Sequence, residues 1–181
     1  MVLGIHALPH ALMLDQMISA FKYALNNVNF NMALPRQEIE HLYAAGWAAL
    51  QSNRMSEAEE AFLAVLTHDP AHIDALNGLG TVYFHENRTE EAWKLYQRAK
   101  NSLLDFYSGT LPDHVNWDAP TDRALLRTLH GLALTAFRKG DTEDAEKRFQ
   151  NLLDIDPEDH TGSKYMLDDI KKGRKSWDDT V

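Results

Sequence analysis

Along most of this chain apolar residues fall three and four positions apart, the spacing that lines up one face of a helix, and short polar breaks separate these stretches. Between Ile39 and Pro70 two such stretches are joined by QSNRMS; two more, from Ile73 to about Phe106, are joined by HENRT; a last two, ending at Pro157, by RKGDT. The copies superimpose. Leu42, Ala45, Gly46, Ala58 and Phe62 recur 34 positions on as Leu76, Leu79, Gly80, Ala92 and Tyr96. Leu129, Leu132, Ala133, Ala145 and Phe149 repeat the set 53 positions after that, one period plus 19 inserted residues. A period of this length marks stacked helical units, each too small to bury its apolar face alone.

The pattern sets local expectations. Glycine in a helix interior costs roughly 1 kcal/mol against alanine, so the recurring Gly46, Gly80 and Ala133 are read as points where the two helices of a pair approach closely, opposite Ala58, Ala92 and Ala145. Gly78 and Gly131 match only each other and are read as helix surface. Each second helix is expected to open on a capping Ser56, Thr89 or Thr142, with acidic residues in its first turn. Asp69-Pro70 and Asp156-Pro157 end two of the copies, because proline cannot continue a helix.

This multi-position pattern resembles the tetratricopeptide repeat family over about Ile39 to Asp156. The resemblance implies an all-α fold: a right-handed superhelix of three helix pairs whose first helices line a concave groove that binds peptide segments or partner proteins. The pairs are placed at 39–70, 73–106 and 126–157 within a repeat region spanning 35–157. An insert falls at about 107–125, with Asp118 or Thr121 expected to cap the helix after it and Trp117 to tuck against the body of the protein or overhang the groove. Residues 1–34 read as an amphipathic N-terminal helix with a stripe of Leu14, Met17, Ile18, Phe21, Leu25 and Val28. It would either cap the first repeat or make a homodimer contact, because Leu12, Met13 and Tyr23 lie off the stripe and need cover. Residues 158–172 read as a C-terminal capping helix and 173–181 as a frayed tail.

Composition narrows the function. A formal charge of −9 with no basic stripe argues against nucleic acid, and no run of about 18 uncharged apolar residues offers a membrane span. The opening MVLGIHALPHALML lacks a basic start and soon meets Asp15, so it makes a poor signal peptide and the cytoplasm is the expected compartment. There is no cysteine, which excludes thiolate chemistry and disulfides. The pairs His6/His10 and His68/His72 have ligand-like spacing but are interrupted by Pro9 and Pro70, and Asp113, His114 and Asp118 form only a loose cluster. With no metal motif, phosphate-cradling loop or nucleophile elbow, the chain is read as a non-enzyme with neither cofactor nor metal.

The repeat register places Tyr43, Trp47 and Leu50, then Asn77, Thr81 and Phe84, then Arg127, His130, Leu134 and Phe137 along the groove. Family members that grip an acidic chaperone tail use lysine, asparagine and arginine there. The matching places here hold Tyr43, Trp47, Gly78 and Gly131, and only Arg127 fits. The expected ligand is therefore an extended, partly hydrophobic protein segment, and the expected role that of an adaptor or chaperone. The N-terminal helix followed by three repeats is also similar to the type III secretion chaperones that hold hydrophobic translocators, although the 19-residue insert departs from them. The other open role is a structural assembly subunit acting through convex or end surfaces, as a homo-oligomer or complex component.

Overall fold

A computed structural model describes residues 35–177, and the expectations for the first thirty-four residues lie outside that range. The described residues form helices and connecting turns: α1 (Arg36–Gln51), α2 (Met55–His68), α3 (Ile73–His85), α4 (Thr89–Phe106), α5 (Pro120–Arg138), α6 (Thr142–Ile155) and α7 (Ser163–Lys171). Helices α1 and α2, α3 and α4, and α5 and α6 pack as pairs, and α7 covers α6. Each first helix also touches the next, α1 against α3 and α3 against α5, so the first helices form one continuous layer.

The polar breaks become identical turns. Asn53, Asn87 and Gly140 occupy the same register position and adopt φ of 57°, 61° and 81°, the left-handed conformation in which glycine and asparagine are least strained. The residue after each bonds back to the closing turn: Arg54 N to the Ala49 carbonyl (2.9 Å), Arg88 N to Tyr83 (2.8 Å) and Asp141 N to Ala136 (3.1 Å). This is the closure that satisfies orphan carbonyls at a helix C-terminus. The following helices start without the expected hydroxyl caps. In α6 the cap is Asp141, whose carboxylate accepts from Asp144 N, and no side chain caps α2 or α4.

The inner glycines, expected on the surface, are buried, and their role is to join pairs. A Cβ added at Gly46 would lie 2.7 Å from the Phe62 ring of its own pair, and one at Gly78 would lie 2.3 Å from the same ring across the junction. The arrangement repeats with Tyr96, which meets Gly80 at 2.8 Å from within its pair and Gly131 at 2.4 Å from the next. One aromatic ring is thus gripped by two backbones. Sequence comparison within a single pair could not show this, because the ring that Gly78 needs lies in the preceding copy. Gly78→Ala should destabilise the chain by roughly 1–3 kcal/mol through overpacking. In denaturant titrations Phe62→Leu should partly rescue it, giving a coupling well outside additivity.

Between α4 and α5 the insert is tied down at both ends. The Asp122 carboxylate accepts from the Tyr107 hydroxyl (2.5 Å) and from Asn116 N (2.7 Å). Helix α5 starts at Pro120, earlier than the repeat register suggests, with Ala119 rather than Asp118 or Thr121 at its cap position. Proline suits a first helical position, where its missing N–H would be unpaired anyway. Trp117 stacks on His160 at 4.5 Å and 6°, on the loop after α6 and away from the groove pocket.

The segment after α7, expected to fray, packs back as far as Trp177. Arg174 pairs with Asp169 (2.9 Å) and donates to the carbonyls of Ser176 and Trp177, while the Thr142 hydroxyl donates to the Lys175 carbonyl (2.9 Å).

Candidate groove and its pocket

Helices α1, α3 and α5 present the ten groove candidates, and the structure divides them into three groups. Tyr43, Trp47 and Leu50 are half-buried against the first core cluster, around Phe62, Leu76 and Leu79. Asn77 and Phe137 are buried at 1% and 0% exposure and line no part of the pocket, so they belong to the core rather than to a ligand surface; Phe84 is nearly as buried, at 4%, but its ring borders the pocket. Asn77 joins two helix pairs. Its amide donates to the Ala124 carbonyl (3.0 Å) and its oxygen accepts from the Thr128 hydroxyl (2.8 Å), which satisfies both ends of a buried polar group.

The remaining five candidates converge with Trp47. Trp47, Thr81, Phe84, Arg127, His130 and Leu134 line a pocket of 190 Å³, drawing on all three first helices. Its walls are completed by His85, Tyr96 and Trp177, which the repeat register had not placed there, and by Gly131, which stands at one of the places matching the family's clamp. Tyr96 was hidden because Gly131, the glycine its ring packs on, was assigned to the helix surface. Trp177 was hidden because the tail carries no helical periodicity; its only signal was a tryptophan in an otherwise polar run.

The electrostatics of the pocket are weak by construction. Arg127 is neutralised by Asp74 (2.9 Å), with its guanidinium 5.2 Å from the Trp47 ring centre. Trp47 meets Phe62 edge-on at 5.7 Å, which fixes its indole between pocket and core. His130 is largely buried and packs edge-on against Phe149 at 5.7 Å; desolvation holds its imidazole down at about 4, an effect that Asp159 opposes. It therefore presents a neutral ring at ordinary pH. The Tyr96 hydroxyl shares a 3.2 Å hydrogen bond with Thr81, and burial pushes its phenol up to about 12. Such a site can bind an apolar or aromatic side chain and offer it a few polar contacts. Among the described residues no group of three or more His, Asp or Glu could hold a metal, and no helix is long and apolar enough to cross a membrane.

Helix pairs, shared aromatic joints and an inner layer of first helices define an all-α repeat protein. Residues 43–103, from mid-α1 to late α4, match the family model of the tetratricopeptide repeat, whose members are in general protein-interaction repeats. The chain is also similar to cellulose synthase operon protein C of Komagataeibacter xylinus, at 27% identity over 140 residues. That alignment covers 77% of this chain and 10% of the relative, so the chain spans about a tenth of the relative's length.

Proposed function

We propose that this chain is a non-enzymatic adaptor or chaperone-like module that holds an extended, partly apolar protein segment along its first helices. One observation carries the reading: a pocket of side-chain size, with Trp47, Phe84 and Leu134 in its walls, sits where three successive first helices meet. Aromatic anchors in such pockets commonly contribute 2 kcal/mol or more to binding. Segments selected from a displayed peptide library against the full chain should therefore bind Trp47→Ala about thirtyfold more weakly. The affinity should change little between low and high salt, because the contacts are mainly apolar. Ligands that ignore Trp47→Ala but are lost on Glu59→Lys with Glu60→Lys would place binding on the outer face instead.

That second reading, an assembly subunit working through outer or end surfaces, has its own support. Tyr165 on α7 is 80% exposed and Phe106 at the end of α4 is 63% exposed. Both are large side chains set away from the pocket, where another protein could cover them.

A further inference from the structure

One wall of the pocket comes from outside the helix pairs. Trp177 reaches back from beyond α7 and meets Phe84 edge-on at 5.2 Å, with the Arg138 guanidinium 5.3 Å from its ring centre. Arg174, three residues earlier, holds it there. Its guanidinium pairs with Asp169 on α7, donates to the Trp177 carbonyl, and lies 5.5 Å from the indole and 5.7 Å from the Phe137 ring. The Thr142 hydroxyl fixes the backbone between the two residues through the Lys175 carbonyl.

We propose that this end of the groove is a binding site for a tryptophan preceded by an arginine three residues before it, and that the chain's own Arg174–Trp177 strap is its resident occupant. Partner segments of the same Arg-x-x-Trp chemistry displace the strap to enter. The proposal rests on the groove reading above and adds the ligand class and its intramolecular competitor.

The contacts themselves define the chemistry. The anchors are a carboxylate (Asp169), a hydroxyl donor (Thr142) and an aromatic edge (Phe84), and each can serve an incoming chain as well as the resident one. The strap begins directly after α7, so its effective concentration at the site is on the order of millimolar. A peptide with an intrinsic dissociation constant of about 100 µM would then bind the intact chain about tenfold more weakly than a chain whose strap is disabled.

The test uses a fluorescein-labelled peptide of residues 173–181, GRKSWDDTV, titrated by anisotropy against the full chain and full-length variants. The expected result is that Trp177→Ala binds the peptide at least about tenfold more tightly than the parent. Arg174→Ala, which leaves the indole in the chain but removes its tether, should also bind more tightly than the parent. Replacing arginine or tryptophan by alanine in the peptide should remove the gain, as should adding Asp169→Ala to the Trp177→Ala chain. Equal binding to parent and variants, or binding to none of them with helix content intact, overturns the proposal. If that happens while library-selected segments still depend on Trp47, the groove reading stands and only the strap assignment is lost.

Discussion

Phe137→Ala is expected to destabilise the folded chain by about 3–5 kcal/mol, the range for truncating a fully buried aromatic. The ring has 0% exposure and packs in a cluster with Ala133, Phe149, Leu152 and Leu167, where α5, α6 and α7 meet. Truncation leaves a void between three helices, and a close-packed interior closes such a void only in part. Urea titration followed by helix signal would measure the loss. A cost below about 1 kcal/mol would show that the ring is a groove surface, as its register position first suggested, rather than the centre of the last pair.

A comparable effect should appear with pH through His130. Its imidazole is held near 4, against an ordinary value of 6.5, because burial penalises the charged ring. Above pH 6.5 the group is neutral in folded and unfolded chains alike and contributes no pH dependence. Between 6.5 and 4 the unfolded chain takes up a proton that the folded chain resists, so stability falls as pH falls. Each step of one pH unit across that window removes up to about 1.4 kcal/mol, so by pH 4 the loss approaches about 3 kcal/mol. Chemical denaturation at several pH values, comparing the parent with His130→Gln, isolates this group from the other eight histidines, since the chain has nine. The variant should show a flatter profile through the acid window. Parallel profiles would mean that the ring titrates in the folded state as it does in water.

The helix pairs were legible because the 34-residue period repeats both the apolar face and the turn position now occupied by Asn53, Asn87 and Gly140. Six groove candidates meet at one pocket for the same reason, since a constant register places equivalent side chains on one layer. What escaped the sequence depends on contacts between copies. Gly78 and Gly131 face rings of the preceding pair, and Asn77 bonds to α5 across the insert, so a reading confined to one pair sees a spare glycine and an available amide. Phe137 shares a helix with His130 and Leu134, but the packing of α6 and α7 draws it into the core while leaving those two partly open. The early start of α5 follows from Pro120, a local signal that outweighs the repeat register. Trp177 lies beyond any periodicity, and only tertiary contacts with Asp169, Thr142 and Phe84 give it a place.

The shared rings bear on how such a chain can change length. The middle pair carries both halves of the joint: Gly78 receives the ring of the pair before it, and Tyr96 offers a ring to the pair after it. A tandem duplication of residues 73–106 would therefore create a new junction from parts already present, a tyrosine ring facing a second copy of Gly78. The ring contact at each added 34-residue repeat would come ready-made, but α4 runs unbroken to Phe106, so a turn equivalent to the one at 69–72 would have to be supplied between the copies. The position one period beyond Gly131 is Tyr165, a bulky residue where a ring-accepting glycine would be required, so the same operation at α7 would have no ready-made junction.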